Sequence, residues 1–327
     1  MNRLVILAPN WLGDAVMALP AIADVRRGSA EAWISVAARP LVAQLFNLVP
    51  DVGEVVALGD GSRLFYRPTP VPQVALLLPN SFRSALVARR AGIPERWGYR
   101  AGWRGPLLTK AIDRAPGTVH QVEYYQRLVR ALGFPNGPGV PRIVVSDQVR
   151  EASSLLLKRE GWDGSAPVIA LAPGVAYGDS RRWSPRYFAD LARTLAADGA
   201  RPVLVGSAAD ARTGREIESV VADPRTVLNV IGRTDVPTLA GVLTLARALV
   251  SNDSGAMHLG AALGVPVTAV FGPTDERVTS PRSSAATDVL SHPVWCRPCR
   301  LRECPLDHRC MRGVRVDVVA ASARRML

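Results

Sequence analysis

The first residue with a type and position suited to chemistry is Asp14, in the stretch PNWLGDAVMALP of residues 9–20. A short apolar run precedes it, and Gly13 allows the backbone to turn tightly into a helix. Ligands of open α/β sheets bind at the carboxyl ends of strands, so Asp14 is a candidate general base. An aspartate in a first helical turn also satisfies backbone N–H groups and the helix dipole without any ligand. No G-x-G-x-x-G pattern follows this strand, which disfavours a nicotinamide-dependent dehydrogenase.

A second candidate is the stretch LAPGVAYGDSRRWSPRYFADL of residues 171–191. A turn at Gly174 is followed by the adjacent cations Arg181 and Arg182, and Ser184–Pro185 then marks a helix start with proline at its first position. Cations beside a helix N-terminus form an anion site that suits a diphosphate. An ordinary basic loop before a helix accounts for the same pattern.

A third candidate is the stretch VSNDSGAMHLGAALGVPVTAVFGPTD of residues 250–275. Gly255 begins a helix whose N-terminus is open to close approach by a ligand, and His258 falls in the first turn. Two phosphate-favouring helix starts in one domain favour nucleotide binding. A well-capped helix with a structural histidine is the alternative. The residues predicted to cap this helix are Asn252, Asp253 and Ser254.

Two further positions are ambiguous on the sequence alone. In VLVGSAADARTG, residues 203–214, Asp210 is placed to accept hydrogen bonds from ribose hydroxyls, or simply to lie in solvent near a helix start. A cluster of basic residues between 83 and 130, together with Asn80 and Ser81 at a strand end, indicates either an anion-binding surface or a solvated face.

Four cysteines lie within 15 residues, in the spacing C-x2-C-x4-C-x5-C. This spacing is compact enough to hold one tetrahedral metal ion, and a structural zinc is one interpretation. Because stable disulfides are rare in a reducing cytosol, unliganded thiols are an equal alternative, and an iron–sulfur or redox role remains open. The residues are Cys296, Cys299, Cys304 and Cys310.

The composition is that of a globular protein. Of 327 residues, 48% are hydrophobic and 21% are charged, which excludes a disordered chain, a collagen-like fibre and a small disulfide-stapled scaffold. At about 150 residues per domain, the length predicts two domains. The net charge of +12 predicts an anionic partner, but only two of the 40 basic residues are lysines, so arginine usage alone does not indicate nucleic-acid binding. The apolar run at the N-terminus is too short for a secretory signal, which predicts a cytoplasmic protein.

The elements that must position these residues alternate between short β-branched runs and longer helical patterns, which predicts parallel sheets built from βαβ units. The run of breakers at 133–142 predicts a linker between two domains. The uncharged stretch 254–274 is long enough to span a bilayer, but its Pro266 and several glycines favour helix, turn and buried strand. Predicted strands are 4–8, 33–37, 54–58, 74–78, 97–100, 168–172, 202–205, 227–231, 248–251 and 265–271. Predicted helices are 14–27, 40–46, 83–91, 121–132, 185–197, 209–221, 236–246 and 255–263.

The ordered series of these motifs resembles the lipopolysaccharide heptosyltransferases of glycosyltransferase family 9, over nearly the full chain and most closely those of the II type. The segments that carry the resemblance are NWLGDAVMALPA, LPNSFRSALVARRAGIPERWGYR, APGVAYGDSRRW, VGSAAD, SNDSGAMHLGAALGVPVTAVFGPTD and the cysteine segment. It implies an α/β protein of the GT-B class, with two Rossmann-like domains whose parallel sheets face an inter-domain cleft. Residues 1–142 would bind the acceptor and 143–327 the ADP-sugar donor, with the C-terminal helix packing back on the first domain.

The resemblance also implies a role for each matching residue. Asp14 would deprotonate the acceptor hydroxyl in an inverting transfer that needs no cofactor. The family commonly has lysine where this chain has Arg181, although a guanidinium can grip phosphates bidentately. Implied donor-binding residues are Gly174, Arg181, Arg182, Asp210, Asp253, Ser254, Gly255 and His258. Implied acceptor-binding residues are Gly13, Asn80, Ser81, Arg83 and Arg100.

The partners implied are ADP-heptose, the phosphorylated inner core of lipopolysaccharide and, peripherally, the cytoplasmic face of the inner membrane; nucleic acid is not among them. The basic first domain suits such an acceptor at an anionic surface. Two other classes share parts of the pattern: a GT-B nucleotide-sugar epimerase, and an arginine-rich nucleic-acid-binding protein.

Overall fold

The computed structural model describes residues 2–59, 70–114, 116–176 and 178–326. The chain forms two compact units, Met1–Val144 and Val145–Leu327. The break follows closely on residues 133–142, where neither a helix nor a strand forms. The glycine and proline residues in that run interrupt both helical and strand periodicity, so the chain passes from one unit to the other without regular structure.

The first unit is built on a six-stranded parallel sheet in the order β3-β2-β1-β4-β5-β6. Its central strands β1 and β4 are almost wholly buried because helices cover both faces, as expected of a parallel sheet. The strand order reverses between β1 and β4, where a crevice at the carboxyl ends forms the usual ligand site of such sheets. The strands are β1 (Arg3–Leu7), β2 (Trp33–Ala38), β3 (Glu54–Ala57), β4 (Val74–Leu77), β5 (Glu95–Tyr99) and β6 (Lys110–Ile112). The helices are α1 (Leu12–Gly28), α2 (Pro40–Phe46), α3 (Phe82–Arg90) and α4 (Gln121–Ala131).

The second unit repeats this topology, with a parallel sheet in the order β12-β11-β10-β7-β8-β9. Here the order reverses between β7 and β10, which pair directly with each other. The strands are β7 (Val168–Ala172), β8 (Arg201–Leu204), β9 (Leu228–Asn229), β10 (Ala246–Asn252), β11 (Val267–Phe271) and β12 (Thr287–Ser291). The helices are α5 (Asp147–Arg159), α6 (Pro185–Ala197), α7 (Ala211–Val221), α8 (Val236–Leu245), α9 (Gly255–Ala262), α10 (Glu276–Thr279), α11 (Arg309–Arg312) and α12 (Val316–Arg325).

The core of the second unit is organised around Trp183, which is fully buried. Its ring lies edge-on to Phe188 at 5.0 Å, and its indole N–H donates to the carbonyl of Val314 at 2.9 Å. The C-terminal helix α12 packs on α6 and on strands β10 and β11 of this same unit. Trp183 therefore joins the start of α6 to the segment that leads into the C-terminal helix.

The predicted elements are all present, with ends that shift by a few residues. The uncharged stretch forms α9, a turn and the buried strand β11, as predicted. The elements named above that were not predicted are the edge strands β6 and β12, helix α5 and the four-residue helices α10 and α11. The two strands are polar or very short, and α5 buries only Ser153 and Leu157, so neither the strands nor α5 show a strong apolar pattern. No helix within the described ranges combines the length and the apolar character needed to cross a membrane.

Candidate active site

Asp14 lies in the first turn of α1, directly after β1 and therefore at the point where the strand order of the first sheet reverses. Its side chain is partly exposed. Helix α4 packs against α1 and brings the phenol of Tyr125 near this carboxylate. Burial raises the pKa of Tyr125, and the negative charge of Asp14 raises it further. The phenol therefore stays protonated beside Asp14 at neutral pH.

The predicted acceptor residues after β4 lie at the same edge of the sheet. Ser81 is the N-cap of α3 and accepts a hydrogen bond from the backbone of Ser84 at 3.2 Å. The amide of Asn80 donates to the hydroxyl of Tyr124 at 2.7 Å. Arg83 is exposed at the first turn of α3. The side chains of Asn80 and Ser81, which precede α3, are therefore held in place by hydrogen bonds within the protein.

The basic cluster of residues 83–130 divides into structural and exposed members. Arg104 is fully buried and donates to the Tyr99 carbonyl at 3.0 Å, the Ser84 hydroxyl at 3.0 Å and the Pro79 carbonyl. Burial lowers the pKa of Arg104 to about 10. The solvated-face interpretation is therefore wrong for Arg104, which ties the ends of β4 and β5 together. Arg100 is exposed and forms a 2.9 Å ion pair with the exposed Asp113.

In the second unit, hydrogen bonds join the loops that follow β7 and β10. The amide of Asn252 donates to the Pro173 carbonyl at 2.8 Å, and its oxygen accepts from the backbone of Trp183 at 3.1 Å. Arg181 forms an ion pair with Asp253 at 3.2 Å. The two strands are neighbours in the sheet, which is why the residues after them meet. The structure thus brings Arg181 and Asp253 together, 72 positions apart in sequence.

Asp253 is a buried carboxylate whose exposed side-chain fraction is 4%. Burial raises the pKa of Asp253, and the positive charge of Arg181 opposes that shift. A buried charge of this kind is tolerated only with a partner. Arg181 is itself 27% exposed, so it connects the buried carboxylate to the surface of the site.

Arg182 uses only part of its hydrogen-bonding capacity on the protein. Its terminal nitrogens contact the hydroxyl of the buried Thr213 and, at 2.8 Å, the carboxylate of Asp179. Its Nε is a buried donor with no acceptor in the part of the chain that the structure describes. The Arg182 side chain is 27% exposed, so part of its guanidinium remains open to an anion.

Gly174 and Asp210 lie against each other at the ends of β7 and β8. A Cβ on Gly174 would come within 2.5 Å of the Asp210 carboxylate, so the close approach requires glycine. Asp210 accepts from the backbone and hydroxyl of Ser207 at 2.9 and 2.7 Å. The interpretation of Asp210 as a solvent-exposed residue is wrong, because the residue is buried in a capping box.

The starts of α6 and α9 both lack a side-chain cap. Ser184 and Ser254 occupy the N-cap positions, but neither side chain accepts a hydrogen bond from its helix. The predicted capping by Asn252 and Asp253 is wrong, since their side chains bond to Pro173, Trp183 and Arg181 instead. Gly255 opens α9, and His258 is buried one turn in. The first backbone N–H groups of both helices therefore have no side-chain cap. Donors of this kind commonly bind anionic ligands.

The four cysteines line one small cavity, together with Ser180 and Pro273. Cys299 is exposed and Cys310 is buried. Within the described ranges, no group of three or more His, Cys, Asp or Glu side chains is arranged to hold a metal ion. The four cysteines therefore share one cavity, and the binding of zinc by them stays a prediction that a measurement in solution can test.

Comparison with known proteins identifies the family. A model of glycosyltransferase family 9 (heptosyltransferase) matches residues 73–309. The chain belongs to this family. It is 29% identical to lipopolysaccharide heptosyltransferase 2 of Escherichia coli strain K12, over 87% of this chain and 86% of the relative. It is 30% identical to the enzyme of the same name from Salmonella typhimurium, over the same shares of the two chains.

Solved structures agree with this assignment. The structure of E. coli ADP-heptose lps heptosyltransferase II matches with a TM-score of 0.85 and 28% identity, over 100% of this chain and 98% of that one. A family 9 glycosyl transferase from Veillonella parvula shares the fold, with a TM-score of 0.83 and 19% identity over 99% and 97% of the two chains. These matches confirm the resemblance and the GT-B class with two Rossmann-like domains. The chain is a glycosyltransferase.

Three side chains at the site were missed by sequence reasoning. Thr213 contacts Arg182, Tyr125 lies near Asp14, and Ser180 supports the loop before Arg181. Each makes its contact with a residue from another element, which no local pattern reveals. Only Tyr125 carried a local signal, since it stands beside Tyr124 within the predicted helix 121–132.

Proposed function

We propose that this glycosyltransferase transfers a heptose from ADP-heptose to the inner core of lipopolysaccharide, with inversion at the anomeric carbon. The names of its relatives support this substrate pair. The observation that carries the proposal is the pair of uncapped helix starts beside Arg181 and Arg182, at the strand-order reversal of the second sheet. This combination suits a nucleoside diphosphate.

The donor binds to the second unit in this proposal. Arg181 and Arg182 hold the diphosphate, and Ser254 and Gly255 offer the N-terminal N–H groups of α9 to it. Asp210 contacts the ribose through the hydrogen-bond-accepting capacity of its carboxylate that the bonds to Ser207 leave unused. The remaining donor residues in the proposal are Gly174, Asp253 and His258.

The reaction is a direct displacement. The acceptor hydroxyl forms a new C–O bond at the anomeric carbon while the bond to the diphosphate breaks, and ADP leaves with the electron pair. Asp14 accepts the hydroxyl proton, and the two arginines offset the charge that develops on the leaving group. The side chains that carry this step are protein groups alone, so the proposal needs no cofactor.

The acceptor binds to the first unit in this proposal. Gly13 leaves space beside Asp14, and Arg83 and Arg100 recognise phosphate groups on the glycolipid core. Asn80 and Ser81 shape the edge between them. Because the acceptor is a membrane lipid, we propose that the enzyme works peripherally at the cytoplasmic face of the inner membrane, where anionic lipids favour a basic unit.

Calorimetric titration with ADP, UDP, GDP and CDP tests the donor assignment. We expect ADP to bind most tightly, with a heat signal that the other three do not match. Absence of binding to every nucleoside diphosphate, or a clear preference for UDP, would contradict the proposal.

A further inference from the structure

The segment Cys296–Cys310, called the cysteine loop below, is bonded to the loop that carries the two proposed diphosphate arginines. Ser180, the residue before Arg181, is 2% exposed. Its backbone N–H donates to the carbonyl of Arg302 at 3.1 Å, and its hydroxyl donates to the carbonyl of Leu301 at 2.5 Å. Two bonds at one residue fix the backbone from which the arginine side chains extend.

Gly178 brings the two backbones even closer. It has φ of +75°, a conformation that favours glycine, and a Cβ there would overlap the carbonyl oxygen of Arg302. The contact is therefore available only to a residue without a side chain. Ser180 and Gly178 together attach the loop that carries Arg181 and Arg182 to one short stretch of the cysteine loop.

The cysteine loop is also anchored to the loop after β11. The backbone of Arg300 donates to the carbonyl of Pro273 at 2.8 Å. The guanidinium of Arg297, whose side chain is 12% exposed, donates to the carbonyl of Gly272 at 2.5 Å and to Glu276 at 2.9 Å. The cysteine loop is thus supported by the loop that directly follows the buried strand β11.

The end of the cysteine loop is embedded in the core. Cys310 is buried, and a Cβ on Gly272 would overlap the side chain of Met311. All four cysteines, Ser180 and Pro273 line one cavity of about 20 Å³, enough for about one water molecule. The loop is therefore fixed at its buried end and by its hydrogen bonds to neighbouring loops, while most of its residues are exposed.

We propose that the cysteine loop is a positioning element for the donor site, and that Ser180 is the positioning residue through which it orients Arg181 and Arg182. This inference rests on the proposed role of the two arginines in binding ADP. A guanidinium grips phosphate in a fixed fork geometry, so a backbone held in place before binding avoids an ordering cost when the nucleotide arrives. The cysteine loop is thereby coupled to donor affinity and not only to stability.

Ser180→Ala tests this coupling, because it removes the hydroxyl bond to Leu301 and keeps the backbone bond to Arg302. We expect the Kd for ADP and the donor KM to rise about 2- to 10-fold, the effect of losing one neutral hydrogen bond, with the acceptor KM unchanged. The matched control is Ser219→Ala, which removes a hydroxyl bonded at 2.8 Å to the Glu216 carbonyl on the exposed face of α7 and should change none of these values.

Gly178→Ala is the second variant, and we expect it to weaken ADP binding more than Ser180→Ala because the added Cβ separates the two loops. Wild-type ADP affinity in both variants, in a protein whose ADP affinity falls when Arg182 is replaced by alanine, would overturn the inference and leave the proposed function standing. Equal rises in donor and acceptor KM with a lowered Tm would also overturn it, as a purely structural effect. An ADP affinity that Arg182→Ala leaves unchanged would instead contradict the role of the arginines on which the proposed function depends.

Discussion

At the scale of single residues, the arginines show which roles can be predicted from residue type and local sequence and which cannot. Sequence reasoning selected Arg181 and Arg182 correctly as neighbours of a helix start, since both features are local. It could not separate Arg104 from exposed cations, because its burial depends on carbonyl groups that the fold brings from β4 and β5. For the same reason it gave Asp253 as a helix cap, when its partner is Arg181.

Replacing Arg182 by alanine should weaken ADP binding by about 1.5–3 kcal/mol, the range for a charge-assisted hydrogen bond. Calorimetry measures this directly. The matched control is Arg193→Ala, because Arg193 also pairs with an aspartate three residues before it, Asp190, but lies within α6 away from its start. Unchanged ADP affinity in the double Arg181 and Arg182 alanine variant would remove both residues from the donor site.

Replacing Asp14 by asparagine keeps the shape of the side chain and removes the proposed base. We expect an unaltered fold, near-normal ADP affinity and a turnover number lower by about 10²–10⁴-fold, the usual reach of general base catalysis. Steady-state kinetics and calorimetry measure the two effects separately. The control is Asp147→Asn, in the first turn of α5, which should leave turnover unchanged.

Two results would argue against this role for Asp14. Wild-type turnover would contradict it. A large fall in Tm with only a modest kinetic loss would make Asp14 a residue that stabilises the start of α1.

At the scale of elements, the helices that begin at the strand-order reversals were the most predictable part of the site. Helices α1, α6 and α9 begin with local signals: a glycine turn, a Ser-Pro start and a Ser-Gly start. Whether a side chain caps such a start was not predictable, because the capping atoms compete with partners on other strands. Edge strands β6 and β12 were missed, since a strand with only one neighbour needs little apolar sequence.

The position of Arg83 at the start of α3 leads to a prediction for the acceptor. Neutralising Arg83 and Arg100 to glutamine should raise the acceptor KM while leaving ADP binding intact, because both cations are exposed in the first unit. The control is the pair Arg89→Gln and Arg90→Gln, at the opposite end of the same helix. If the first pair can be lost without a kinetic effect, both arginines belong to a solvated face.

The cysteine loop leads to a prediction about metal content. The spacing of the four cysteines predicts about one zinc per chain, whereas the described residues hold no group of three or more such side chains arranged around a metal ion. Elemental analysis of protein purified without chelators tests the zinc prediction. The control is the variant with serine at all four cysteine positions, analysed in the same way. A metal-free wild-type protein of full activity would establish the four residues as ordinary thiols.

At the scale of the whole molecule, chain length and the alternation of strand and helix patterns predicted two α/β domains but not their chemistry. The two sheets share one strand order, although their sequences show no repeat, because parallel sheets covered by helices accept many apolar sequences. Net charge indicated an anionic partner without naming it. The family match supplied the reaction class, and the loops at the two strand-order reversals supply the residues that would perform it.

The most direct test of the account is a transfer assay with ADP-heptose and a heptose-deficient lipopolysaccharide core. The mass of the acceptor, by mass spectrometry, and the amount of released ADP are measured in the same reaction. We expect one added heptose on the acceptor for each ADP released, and no change in ADP-heptose when the acceptor is omitted. Conversion of ADP-heptose to another nucleotide sugar without transfer, as in an epimerase, or an acceptor that never gains mass, would contradict it.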